Sequence, residues 1–193
     1  TSANCFINKN GERFVREDGR RDEMAKAMIA QPEGLVYYIF SCEDPNEVYS
    51  LGKQTLQYYL DNNLYGYMID TSLEGLAEQM GVPADTLAKT VEAFNAHTKA
   101  GDVDEFGRTS WAETIEGPYY VAYQRKPAAH HTMGGVRIDT ETHALRADGS
   151  IIEGLYCAGE IVGGIHGGNR LGGNAIVDFC VFGRLAGTHA ATD

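Results

Sequence analysis

Gly163-Gly164-Ile165-His166-Gly167-Gly168-Asn169-Arg170-Leu171-Gly172-Gly173-Asn174 runs straight into Ala175-Ile176-Val177-Asp178-Phe179-Cys180-Val181-Phe182-Gly183-Arg184-Leu185-Ala186. Six glycines in twelve residues make no packed element, because each loses more backbone freedom on folding than any other residue. The usual compensation is a ligand lying close against main chain. The apolar run that follows predicts a helix, with Asn174 placed to cap it. A glycine-rich loop delivering a helix amino terminus offers free N–H groups and the positive end of a dipole, which suits an anion. It is not a Walker A loop, since no Lys-Ser/Thr follows, and it lacks the strand and downstream acid of a G-x-G-x-x-G unit.

Working outward, Leu155-Tyr156-Cys157-Ala158 reads as a buried strand ending in Gly159-Glu160. Nucleotide-binding α/β folds place ligands at the carboxyl ends of strands, where such a carboxylate meets a ribose-type hydroxyl. Val136–Asp139 predicts a half-buried strand, and Ala147-Asp148-Gly149-Ser150 a turn before Ile151-Ile152. His130-His131-Thr132-Met133-Gly134-Gly135 suits a ligand-facing edge. Adjacent histidines point oppositely in extended chain, so they are poor joint metal ligands, and no metal site is expected. Thirteen of the 23 glycines lie from Gly134 onward. The chain divides into two regions, 1–127 and 128–193.

The first region reads as mixed α and β. Phe6-Ile7-Asn8 predicts a strand, and Asn10-Gly11 a hairpin turn into Arg13-Phe14-Val15. A helix is expected from Asp22 until Pro32, a buried strand over Leu35–Phe40, and a helix over Gln54–Asp61. Ser72 can cap a helix ending at Gly81; Pro83 opens another, with Leu87, Val91 and Phe94 on one face and Gly101 beyond its end. Asp102-Val103-Asp104-Glu105 reads as an exposed loop. The seven tyrosines from Tyr37 to Tyr67 read as packed core or a subunit contact rather than cofactor stacking.

Composition excludes several classes. Sixteen basic against 27 acidic residues give a charge of −11, a field that repels phosphate backbones and anionic lipid. No apolar run reaches the roughly 18 residues of a membrane span, and the start at Thr1 shows no basic and apolar leader pattern. Cys5, Cys42, Cys157 and Cys180 include no C-x-x-C, so buried free thiols are the default. The compartment stays open.

Taken together, His-His-Thr-Met-Gly-Gly (130–135), Gly-Leu-Tyr-x-Ala-Gly-Glu (154–160) and Gly-Gly-x-His-Gly-x-Asn-Arg-Leu-Gly-Gly-Asn-Ala (163–175) resemble the flavoprotein fumarate reductases, specifically the flavocytochrome c and urocanate reductase branch. Upstream, Asn8-x-x-Gly11-x-Arg13-Phe14-x-x-Glu17-x-x-x-Arg21-Asp22 resembles the start of that family's capping (clamp) domain. Asn95, Gly101-Asp102, Phe106-Gly107-Arg108 and Pro118-Tyr119-Tyr120 resemble its later part. The resemblance implies an α+β capping domain (1–127) followed by the carboxy-terminal segment of an α/β FAD-binding domain (128–193). Residues 1–193 contain no βαβ dinucleotide unit, so the resemblance also implies an amino-terminal FAD-binding half outside this chain.

The implied activity is hydride transfer from FAD to the C=C bond of an α,β-unsaturated carboxylate. His130, Arg170 and Gly173 would bind the substrate; His131, Gly159, Glu160, Asn174, Ala175 and Ile176 would bind the cofactor; Glu17 and Arg21 would serve catalysis and proton delivery. A haem, FMN or flavoprotein domain would donate electrons, and such proteins are often periplasmic or extracytoplasmic. One departure stands out: the family's arginine proton donor follows the strand equivalent to Leu35–Phe40, yet Ser41–Asn46 contains no arginine. Arg21, Tyr37 or Tyr38 is then expected as donor, with an aryl or heteroaryl acrylate as substrate rather than fumarate. A dehydrogenase of the ketosteroid type and a non-catalytic fragment are the alternatives.

Overall fold

The computed structural model describes residues 5–49 and 54–192; the start read above for a leader lies mostly outside them. Packing divides the chain into two units, Thr1–Pro127 and Ala128–Asp193.

Unit 1 is built on an antiparallel sheet of β1 (Cys5–Ile7), β2 (Val36–Cys42), β3 (Tyr67–Asp70) and β4 (Tyr119–Arg125), in the order β1-β2-β4-β3. Its helices are α1 (Arg21–Ile29), α2 (Leu56–Asp61), α3 (Leu73–Met80) and α4 (Ala84–Ala100). Alternation along the strands sorts the two faces. Cys5, Ile7, Tyr37, Ile39 and Ala122 join Leu76, Ala77, Met80, Leu87, Val91 and Phe94 of α3 and α4 in one core. On the other face Phe6, Tyr38, Tyr123 and Tyr67 sit opposite one another across all four strands. Their ring centroids are 5.5, 4.9 and 4.8 Å apart in sequence, and Tyr59 extends the row from Tyr67 at 5.6 Å. Tyr37, Tyr38, Tyr59 and Tyr67 are thus packing residues, whereas Tyr49, Tyr58 and Tyr65 are exposed.

Helix ends follow local chemistry. Ser72 Oγ accepts from Gly75 N–H at 3.0 Å, and Gly81 and Gly101 close α3 and α4 at φ +67°. Thr55 caps α2 through Tyr58 N–H. Two expectations need correction. The turn at Asn10-Gly11 forms, but Arg13–Val15 is not a strand; nor is Asp102–Glu105 an exposed loop throughout, because Asp104 is buried.

Both departures have one cause, a buried ion network. Glu17 Oε1 accepts from Phe6 N–H (3.1 Å) and Arg13 Nε (2.9 Å), and Oε2 from the Arg13 (2.7 Å) and Arg108 (2.9 Å) forks. Arg13 also pairs with Asp104 Oδ2 at 2.8 Å, and Asp104 Oδ1 accepts from Phe106 and Arg108 N–H. Phe106 lies 4.9 Å from the Arg13 guanidinium and Trp111 4.6 Å from that of Arg108, adding cation–π attraction in a desolvated site. Burial works against the charge of Arg13, but Glu17 outweighs it and raises its pKa.

Unit 2 is smaller. β5 (His143–Leu145) and β6 (Ile151–Tyr156) form an antiparallel ribbon, and α5 (Asn174–Thr192) closes the chain. β6 ends two residues short of the expected Ala158 and is mostly exposed rather than buried, with Leu155 44% exposed; its partner β5 carries no clear strand signal in the sequence. Val136–Asp139 makes only isolated bridges, Val136 with Val162 and Ile138 with Ala144. Among the four cysteines only Cys5 is buried, and Cys180 is exposed. No helix among the described residues is long and apolar enough to cross a membrane.

Arg13→Met leaves two buried carboxylates short of a cation and should cost roughly 3 kcal/mol or more, read as a lowered urea midpoint. Asp18, held down to about 2, gives an acid signature. Its burial favours the neutral form, but Arg16 and the Thr109 and Ser110 amides prevail. A depressed carboxylate stabilises the fold above its unfolded value, about 3.9, and loses that contribution as pH falls through its folded one. Wild type should therefore exceed Asp18→Asn in stability at neutral pH and converge with it near pH 2.

Candidate functional site

Of the residues named from the second region, His131, Gly159 and Glu160 come together where β6 ends, while Arg170, Gly173, Asn174, Ala175 and Ile176 lie further along, on the glycine loop and the start of α5. Beyond it, a tight 3-10 turn, Gly159–Ile161, presents Glu160. Glu160 Oε1 accepts from Thr132 N–H at 2.9 Å, and Thr132 Oγ1 donates to the Glu160 carbonyl at 3.3 Å. The Thr132 amide is the main influence holding this carboxyl below its usual range, with His131 and His130 adding to it. His131 Nδ1 is 3.7 Å from Glu160 Oε1; its side chain is 5% exposed, and neither ring nitrogen has a hydrogen-bond partner. His130, its neighbour, is exposed.

The glycines divide by purpose. Val136 N–H donates to Ile161 O at 2.8 Å, and Gly163 N–H to Val136 O at 3.0 Å. This crossing brings Gly135 and Gly163 so close that a Cβ on the former would overlap Ile161 O and one on the latter would crowd Gly135. A main-chain crossing, not a ligand, demands glycine at these two positions. At Gly164, Gly167, Gly168 and Gly173, by contrast, an added Cβ meets nothing within 4 Å. Gly173, at φ +87°, turns the chain into α5.

α5 begins at Asn174 itself, so this residue stands in the helix rather than before it. Its start is also less open than expected, because Ile176 N–H already donates to Gly173 O at 3.0 Å. Arg170 is tethered by a 3.0 Å bond from its fork to Leu171 O, while its Nε is buried without a partner.

Two functional candidates were missed in the sequence. His166 Nε2 lies 3.0 Å from Asp178 Oδ2, and the His166 and His131 rings meet edge to face at 5.4 Å and 76°. Asp178 sits in an apolar run, so only its burial reveals it. The surrounding helix is turned inside out: Asp178 is 5% exposed, whereas Ile176 and Val177 are 61% and 63% exposed.

In unit 1, Glu17 is enclosed by the ion network, and Arg21 is exposed at the first position of α1. Tyr37 donates its hydroxyl to Met80 O at 2.7 Å in the core, and Tyr38 belongs to the aromatic row; neither is set out as a proton donor. Asp139, Glu141 and His143 bring ligand-type atoms within 4.8 Å of one another, a grouping absent from the sequence reading. His143 is occupied there by Asp139 at 3.0 Å and Tyr156 OH at 3.2 Å.

A strand-end carboxylate that fixes a loop amide, followed by a glycine loop and a helix start, is compatible with the dinucleotide-binding class, and the family match shows it. The chain belongs to the FAD binding domain family, which matches residues 2–176. NADH:acrylate oxidoreductase of Vibrio harveyi is 40% identical over 186 residues, covering 96% of this chain and 18% of that protein. The open conformation of a flavocytochrome c3 fumarate reductase superposes with a TM-score of 0.73 at 37% identity, over 98% of this chain and 32% of that one. A 3-ketosteroid Δ1-dehydrogenase from Sterolibacterium denitrificans gives 0.78 at 26% identity, over 100% and 39%. The chain thus spans less than two fifths of the length of each.

The division among the glycines is testable. Gly135→Ala should destabilise unit 2 by roughly 2–3 kcal/mol and speed hydrogen exchange at Val136 and Gly163. Gly168→Ala, in open space without a positive φ, should be neutral or stabilising by about 0.5 kcal/mol.

Proposed function

We propose that this chain is part of an FAD-dependent reductase of α,β-unsaturated carboxylates. In this reading residues 1–127 are its capping domain and 128–193 the closing segment of its FAD-binding domain. The observation that carries it is Arg170: a guanidinium with a buried, unpartnered Nε, in a loop whose glycines leave open space. A planar fork of this kind suits a carboxylate, and an unmet buried donor is costly unless a ligand meets it.

FAD fits the residues present. Buried His131 has two ring nitrogens without partners, Glu160 offers a carboxylate to hydroxyl donors, and the exposed first turn of α5 is apolar at Ile176 and Val177. His131, Gly159, Glu160, Asn174, Ala175 and Ile176 would hold the cofactor. When bound, FAD supplies the hydride for the reaction.

The chain's own residues have the remaining tasks. Arg170, His130 and the Gly173 main chain bind and orient the substrate carboxylate, and Arg170 stabilises the negative charge that develops on its conjugated oxygen. Arg21 delivers a proton to the carbon beside that carboxylate. Glu17 supports the chemistry by holding Arg13 and Arg108. Because Ser41–Asn46 supplies no arginine, a substrate with a single carboxylate, such as an aryl or heteroaryl acrylate, is favoured over fumarate. Electrons would come from a haem, FMN or flavoprotein domain; the flavocytochrome relative supports a partner of this kind.

The TM-score of 0.78 with the ketosteroid dehydrogenase supports a second reading, oxidation of a steroid-like ketone. The higher identity to the acrylate and fumarate enzymes favours reduction. Arg170→Ala in the intact protein should lower enoate reduction roughly a hundredfold, about 3 kcal/mol, with flavin retained. Assays on fumarate, urocanate, cinnamate-type acids and a 3-ketosteroid decide among substrates. Unaltered turnover in the variant, or activity on the steroid alone, would sink the carboxylate assignment.

A further inference from the structure

We infer that His166 and Asp178 are a positioning pair that sets the orientation of His131 toward FAD; this inference rests on the FAD-binding reading above. Three observations lead to it. Asp178 is buried on a helix whose apolar neighbours are exposed, the reverse of what packing alone would select. Its Oδ2 is 3.0 Å from His166 Nε2, while its Oδ1 is buried without a partner. The ring of His166 meets that of His131 edge to face at 5.4 Å, and both nitrogens of His131 are buried and unpartnered.

A carboxylate accepts, so the hydrogen lies on His166 Nε2 and fixes the plane of that ring. His166 then walls one side of His131. On another side, Glu160 stands 3.7 Å away, beyond a hydrogen bond, and is itself engaged by Thr132. His131 is thereby oriented by rings and carboxylates around it while its own nitrogens stay available, as preorganised ligand groups require. Asp178 is also the fifth residue of α5, four beyond Asn174. One helical turn therefore carries both the proposed flavin-binding start of α5 and the group that orients His131.

A merely structural role for Asp178 makes the opposite prediction. Replacing a buried, incompletely satisfied carboxylate by leucine on an apolar helix should then be neutral or stabilising and leave FAD binding alone. Asp178→Leu, Asp178→Asn and His166→Gln should be made in the intact protein. FAD affinity of the apoprotein should be titrated by fluorescence, flavin midpoint potential measured in the loaded form, and apoprotein melting followed.

The inference expects Asp178→Leu and His166→Gln to weaken FAD binding roughly tenfold to a hundredfold and to shift the midpoint potential. Asp178→Asn, which keeps an accepting oxygen, should fall between them and wild type. Melting temperatures should stay within a few degrees of wild type. FAD affinity within about twofold of wild type in both Asp178→Leu and His166→Gln would overturn the inference and leave the FAD reading standing. If Asp178→Leu does not fold, His166→Gln decides by the same criterion. A wild-type apoprotein that takes up no FAD overturns both.

Discussion

Unit 1 depends on one carboxylate, that of Glu17. Its two oxygens receive four hydrogen bonds, which is about all a carboxylate can accept, and the donors come from separate stretches of chain: β1, the segment after the first turn, and the loop before β4. Removing charges from water is expensive, and only good geometry with full pairing offsets the cost. Two arginines and two carboxylates pair here at 2.7, 2.8 and 2.9 Å, with Phe94, Phe106 and Trp111 covering the guanidinium faces. This is why the 101–111 loop is ordered without regular structure: Asp104 and Arg108 enter the network, and Trp111 Nε1 donates to Asp102 O at 2.7 Å.

Unit 2 is organised differently. With few buried apolar residues, it is held by main-chain crossings and polar contacts: Gly135 against Gly163, Thr132 on Glu160, and His166 on Asp178. Its longest helix exposes Ile176, Val177, Phe179 and Val181. A helix apolar around its circumference belongs in an interior, which agrees with the proposal that this unit works inside a larger FAD-binding domain.

How much of this the sequence disclosed follows from the range of each interaction. Ser72, Gly81, Pro83 and Gly101 act within a turn of their own position, so α3 and α4 were legible almost to the residue. β2 was legible because the run Leu35–Phe40 is wholly apolar or aromatic. β3 and β4 were not, since their tyrosines and Val121 read equally as helix or strand until the register with β2 is known. Asp104 was misjudged because its partner Arg13 lies far away in the chain. At the candidate site, the glycine loop, Glu160 and Arg170 were visible as motifs, while Asp178 was hidden in an apolar run and acquires its meaning only from His166.

Glu17 shows where motif and geometry part ways. Resemblance brings it forward with Arg21 as a catalytic pair, and both residues are present. With four donors already on its oxygens, however, Glu17 could receive a proton only by giving up one of these bonds, and each such loss in a desolvated site would loosen Arg13 or Arg108. A group that relays protons repeatedly is better left with an unused acceptor. The geometry gives Glu17 the fixed task of holding two guanidinium groups. Arg21, four positions on, stands exposed outside the network, so in the proposed reading proton delivery is asked of it and not of Glu17.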